Sequence, residues 1–165
     1  MSCSASCATA MAGLLVEADP EWKEGEYVLP AAPAEKGLRA FFVSSASPNR
    51  FLIDMETLTV DSDGVVRYVL VVRSPSGAES VTYEGIRCAT RERRIYASGR
   101  KDGSWSESKN SAWAPIVENS YNRPRAALAG DVFCDGPAPP RDRREVLRRL
   151  DGALDFINPV QGRRP

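Results

Sequence analysis

The sequence predicts an α+β protein, an antiparallel β-meander sheet with two C-terminal helices packed on one face. Three observations carry this. Runs rich in aromatic and β-branched residues fill the middle of the chain. Short glycine turns separate them. After Pro115 the texture changes to two stretches with helical spacing.

The elements follow in order. Residues 19–37 form an acidic, Ala/Pro-rich arm in which Pro20, Pro30 and Pro33 break any helix, and Trp22, Tyr27 and Leu29 are its means of docking on the body. A single globular domain is expected over residues 38–158. Its first strands are Leu38–Ser44 and Arg50–Val60, followed by the turn DSDG at Asp61–Gly64. The clearest strand is VVRYVLVVR, where Val66, Tyr68, Leu70 and Val72 share one face and Arg67 and Arg73 share the other with Val69 and Val71. After the turn at Ser74–Gly77, Val81 and Tyr83 hold one parity and Ile86 and Cys88 the other. A change of parity at Gly85 predicts a β-bulge there. RERRIYASG gives the next strand, and Lys101–Gly103 turns the chain again. Asn122 stands at a helix-capping position before Arg123–Cys134, with Pro124 in the first turn and Ala127, Leu128 and Val132 on one face. Val146, Leu147, Leu150 and Leu154 recur at helical spacing between about Asp142 and Leu154.

Composition excludes whole classes of chemistry. The 165 residues contain no histidine, which removes Ser-His and Cys-His mechanisms and most catalytic zinc sites from this chain. Net charge is zero, from 22 cations and 22 anions. Nucleic-acid binding is disfavoured, because phosphate neutralisation requires a basic excess. No apolar run reaches transmembrane length. DSDG lacks downstream calcium ligands, since Val66, Tyr68 and Leu70 fill those places. No cofactor or metal is expected. Ala8–Val16, short and apolar before an acidic stretch, reads as the back half of a secretory signal, so residues 1–18, with Cys3 and Cys7, are taken as a targeting remnant. The basic n-region is missing, because no Lys or Arg precedes Lys23.

The stretch Thr82–Trp105 raises the functional question. Cys88 lies beside Arg87 and Arg91, which would favour a thiolate, but it has no histidine base. Removal of the N-terminal pair leaves Cys88 and Cys134, an even count suited to a disulfide in an oxidising compartment. Two free buried thiols are the remaining option. Tyr83, Arg87, Arg91, Arg94, Tyr96 and Trp105 interleave aromatic and cationic side chains, as a ligand or partner surface would. The competing reading is a solvated strand face whose cations pair with Glu84, Glu92 and Asp102.

The block DGVVRYVLVVRSPSGAESVTYEGIRCATRERRIYASGRKDGSW, together with WAPI at Trp113–Ile116 and RAALAGDVFC ending at Cys134, resembles the cryptic neisserial protein family of small uncharacterised proteobacterial envelope proteins. The resemblance runs from about Trp22 to Leu154. It implies export and supplies no catalytic residues.

The leading expectation is therefore a non-enzymatic periplasmic module, monomeric or weakly self-associating, that binds another envelope component through its sheet face or its arm. A hydrolase or transferase would need a concave site gathering several of Asp54, Glu56, Glu84, Arg87 and Arg91. A nucleic-acid binder would need Arg141–Arg149 to join the Arg87–Arg94 strand in one exposed stripe.

Overall fold

The computed structural model describes residues 19–157; residues 1–18, the expected targeting remnant with Cys3 and Cys7, lie outside the described residues. The architecture is α+β. An eight-stranded antiparallel sheet runs in the order β1-β2-β4-β5-β6-β7, with β3 on β4 and β8 on β6. The strands are β1 Leu38–Ala40, β2 Arg50–Asp54, β3 Thr59–Val60, β4 Val65–Arg73, β5 Glu79–Arg87, β6 Glu92–Gly99, β7 Trp105–Glu107 and β8 Ala114–Pro115.

Two expected strands are shorter than the composition suggests. β1 leaves the ladder at Ala40, after which Phe41 adds one further bond to the Phe51 carbonyl at 3.0 Å. The run Arg50–Val60 splits into β2 and β3 because Asp54 turns the chain. Its carboxylate accepts the Glu56 amide at 3.1 Å and the Thr57 hydroxyl at 2.6 Å.

β4 is the spine. Val65 to Val71 are all buried, as befits a central strand covered on both faces. On one face Ile53, Val66, Tyr68, Leu70 and Ile86 meet Leu128, Val132, Phe133, Val146 and Leu150 from the helices. On the other, Leu52, Val69, Val71, Tyr83 and Tyr96 are covered by Tyr27 and Leu29 of the arm and by Trp105.

The bulge is not where the sequence places it. The β4–β5 register is unbroken from Val65↔Arg87 to Arg73↔Glu79, so β5 is regular. The slip lies in the next ladder, where Tyr83 pairs with Ala97 but Glu84 pairs with Ile95. The extra residue is thus Tyr96, on β6. The change of parity along β5 arises because both of its faces are buried. Gly85 is needed for close approach instead: a Cβ there would stand 2.6 Å from the Tyr96 hydroxyl and 3.0 Å from Val65 Cγ1.

Helix α1 (Arg123–Ala127) continues as a π-helical segment, Leu128–Phe133, and α2 spans Arg143–Ile157. Asn122 does not cap α1 with its side chain. Its Oδ1 accepts from Arg93 Nε at 3.3 Å, which ties the helix start to β6. Arg149 of α2 donates to the carbonyls of Val132 and Phe133 at 3.2 and 2.5 Å, satisfying the end of the π segment. Val146 and Leu150 face the core and Leu147 is half-buried; the side chain of Leu154 lies outside the described residues. Cys88 and Cys134 form a disulfide across 46 residues of sequence, joining the end of β5 to the end of the π segment. Closing a loop of that length is worth roughly 4 kcal/mol in the chain-entropy account.

Gly85→Ala should destabilise the fold by about 1–3 kcal/mol, the usual cost of overpacking a filled core. Gly130→Ala, where a Cβ meets nothing within 4 Å, should cost less. Urea midpoints of the two variants decide this; equal midpoints would refute the close-approach account.

Candidate functional site

The face of the sheet opposite the helices carries a cluster of aromatic and charged side chains, and the arm lies across it. Its anchors are Trp22, Glu24 and Tyr27. The Trp22 ring stacks on the Arg87 guanidinium at 3.8 Å, meets the Trp113 ring edge-on at 5.8 Å and donates to the Asp63 carbonyl at 2.7 Å. Tyr27 packs on Tyr96 at 4.2 Å and on Tyr83 at 6.2 Å. Further along, Trp105 Nε1 donates to the Pro30 carbonyl at 2.7 Å.

Glu24 is the centre of the contact. Its carboxylate accepts from Arg67 Nη2 and Trp113 Nε1, each at 3.0 Å, and from Arg94 and the Tyr96 hydroxyl. Arg67 itself is only 1% exposed. It donates to Asp61 at 2.6 Å and to Asp63 at 2.7 Å as well as to Glu24. The Tyr27 and Tyr96 rings flank its guanidinium at 5.7 and 5.8 Å. A buried cation of this kind is tolerated because carboxylates replace its water; removing one partner of such a pair costs about 3–5 kcal/mol. The DSDG turn is therefore a hairpin turn with a second task. Its two aspartates cap a guanidinium, and Asp63 also accepts the Gly25 amide of the arm at 2.8 Å.

Burial pushes the Glu24 carboxyl up, but the hydrogen bonds from Tyr96, Trp113, Arg67 and Arg94 outweigh it and hold the group below the usual carboxylate range. Asp63 behaves alike: burial raises it, and Arg67 with the Gly25 and Val65 amides lowers it further. Burial pushes the Tyr83 phenol up to about 12. Tyr96 is raised by burial and by its bond to Glu24, so it stays a proton donor.

The helix face carries a second buried charge pair. Glu84 accepts from Arg125 Nε at 2.9 Å and Nη2 at 2.5 Å, from the Tyr68 hydroxyl at 2.9 Å and from Thr82 Oγ1 at 2.6 Å. It pins α1 to β5.

Of the residues expected to form a ligand or partner surface, Tyr83, Arg87, Arg94, Tyr96 and Trp105 do share one face, beneath the arm. Tyr83, Arg87 and Tyr96 are 4%, 7% and 2% exposed, so this is no solvated strand face. Arg91 is elsewhere, exposed at the turn after β5 with φ of 52°. The expected pairing with Glu84, Glu92 and Asp102 is replaced. Glu84 is taken by Arg125, Glu92 accepts from Thr90, Asp102 accepts from Ser104, and Arg94 goes to Glu24. The residues required of a hydrolase do not converge. Glu84 and Arg87 lie on opposite faces of β5, and Asp54 is bound into its own turn. Nor do the arginines form one stripe: Arg87 is under Trp22, Arg143 donates to the carbonyls of Met55 and Glu56, and Arg149 faces the π segment. Sequence reasoning missed Glu24, Trp113 and the burial of Arg67. The signal was present in Asp61, Asp63 and Arg67 of a single hairpin, three charges within seven residues of a central strand and its turn.

Comparison with known proteins places the chain. The model of the CNP1-like family matches residues 17–151, arm included, and the chain belongs to that family. Cryptic neisserial protein 1 of Neisseria gonorrhoeae (strain ATCC 700825 / FA 1090) is 28% identical over 113 residues, covering 61% of this chain and 55% of the relative. The chain thus spans about half the length of the curated relative it matches. No solved structure matches the chain.

The arm contact should weaken in acid. Glu24 and Asp63 are depressed below their ordinary values of 4.5 and 3.8, so their contribution is complete above about 4.5 and is lost as pH falls through the lower folded values. Glu24→Gln should lower stability at pH 7 by about 3 kcal/mol and flatten the acid limb of the stability profile. A denaturation series from pH 7 to pH 3 measures this; parallel profiles for the two proteins would contradict it.

Proposed function

We propose that this member of the CNP1-like family is a non-enzymatic envelope module, exported to the periplasm, whose arm-covered sheet face is a surface for an extended peptide segment. The carrying observation is the fit of the arm: Trp22 seats on Arg87 and Trp113, Glu24 among Arg67, Arg94, Trp113 and Tyr96, and Tyr27 on Tyr83 and the shared Tyr96 ring. Together these sockets read an aromatic, an acidic and an aromatic side chain at positions i, i+2 and i+5 of one peptide segment, with side-chain pockets supplying the specificity of groove recognition. The partner is a segment of another envelope component that carries the same pattern, and it acts by exchanging with the arm. The Cys88–Cys134 bridge supports an oxidising compartment. Among the described residues no helix is long and apolar enough to cross a membrane.

In the full chain, the triple substitution Trp22→Ala, Glu24→Gln and Tyr27→Ala should free the sockets. The variant should bind a labelled peptide of residues 19–33 saturably, while the wild-type protein, its own arm seated, binds it far more weakly. Absence of binding to a variant that retains its near-UV dichroism would overturn the segment-binding reading. Export is checked on protein from its host: osmotic-shock release with the Cys88–Cys134 pair oxidised is expected, and cytoplasmic retention with free thiols would remove the periplasmic assignment.

A further inference from the structure

The helices do not cover the whole of their face of the sheet. Cross-strand register fixes the rows on that face: Val66 beside Ile86, Tyr68 beside Glu84, then Ile53, Leu70 and Thr82, and last Phe51, Val72 and Ser80. The Val66 and Tyr68 rows lie beneath α1 and α2. Over the last row, and reaching Leu70 and Thr82 of the row before it, there is an open cleft of about 410 Å³, bounded by the β1–β2 loop and by the residues that lead into α1. That volume falls within the range of small-ligand sites, about 300–1,000 Å³.

The walls differ in kind. The floor is apolar, made by Phe51, Leu70 and Val72. The β5 edge offers the hydroxyls of Ser80 and Thr82. The mouth carries Tyr121, which is 56% exposed, and Arg123. No carboxylate lines the cleft. The second arginine at its inner end, Arg125, is already satisfied by Glu84 and by the Tyr121 carbonyl at 2.7 Å. Arg123 is exposed and has no hydrogen-bond or ion-pair partner among the described residues. Glu118 lines a separate hollow on the other side of Arg123 and closes no salt bridge to it. Across β2, β4 and β5 the floor is about 10 Å wide, two strand spacings, apolar on β2 and β4 and hydroxyl-bearing on β5.

A trough of that width and lining with one unpaired guanidinium at its mouth is complementary to a particular ligand class. We propose that this cleft binds an amphipathic carboxylate, an acyl or aryl chain that ends in a carboxylate group. The chain lies on Phe51, Leu70 and Val72, and the carboxylate takes the planar fork of Arg123 as a two-point contact. Thr82, whose own proton is committed to Glu84, presents only lone pairs to the cleft and so accepts from any hydroxyl on the chain. The site is on the face opposite the arm, so it stands independently of the segment-binding reading.

The probe is sodium decanoate below its micelle concentration, titrated into the full chain by calorimetry, with amide shifts followed by NMR. One-to-one binding is expected, with shifts centred on Val72, Thr82 and Tyr121. Arg123→Ala should weaken it about tenfold, the loss of one charge-assisted contact. Arg148→Ala, an exposed arginine of α2 outside the cleft lining, should leave it unchanged. Val72→Trp, which fills the floor, should also weaken it, and decyltrimethylammonium, with the same tail and opposite charge, should bind less well than decanoate. The proposal is overturned by equal losses in the Arg123 and Arg148 variants, by equal affinity for the two surfactants, or by no saturable binding of decanoate.

Discussion

One guanidinium in the middle of the sheet governs the rest of the molecule. Arg67 is on the central strand, in a position with no access to water, and a charge there is unfavourable unless fixed anions take the place of its hydration shell. Two of those anions, Asp61 and Asp63, come from the hairpin turn that starts the same strand. The third, Glu24, arrives from more than forty residues away and brings the arm with it. Once Glu24 is in place, the aromatic rings stack around it, and the second face of the sheet is closed without a helix. The arm makes few backbone hydrogen bonds to the body, so its seat depends on this side-chain chemistry.

The other face repeats the device with the signs reversed. There the strand supplies the anion, Glu84, and the covering element supplies the cation, Arg125. Tyr68 and Arg67 are neighbours in sequence but point to opposite layers, so the two buried pairs sit back to back through the sheet. The disulfide then fixes the far end of the segment that Arg125 holds at its near end. This use of ionisable groups bears on function. Glu24, Glu84, Arg67 and Arg125 are bound to one another as structural pairs, and Arg123 at the mouth of the open cleft stands outside them.

Much of the architecture was legible in the residues. The alternation of Val66, Tyr68, Leu70 and Val72 fixed the parity of β4. Gly64, Gly77 and Gly103 marked turns that do take positive φ, and the count of cysteines pointed to the pair that is bridged. What could not be read was which element covers each face. Alternation assigns a side chain to a face but does not say whether that face meets water, so the surroundings of Arg67 and Arg87 stay undecided until the arm is seen above them. The arm itself was hard to weigh, because prolines remove periodicity and leave Trp22 and Glu24 without a local pattern. Gly85 was read as a bulge because a parity change in a half-exposed strand requires one; in a strand buried on both faces it does not. Asn122 has the composition of a cap but finds a better partner in Arg93, a contact that no local rule contains.

Glu24 holds the arm on the sheet. Hydroxyl-radical footprinting of the wild-type protein and Glu24→Ala tests it most directly, with the buried Tyr68 and the exposed Tyr121 as internal standards. Trp22 and Tyr27 should be protected in the wild-type protein and approach the oxidation rate of Tyr121 in the variant, while Tyr68 stays protected in both. Trp22 and Tyr27 that remain equally protected without Glu24, or that are already oxidised freely in the wild-type protein, would contradict it.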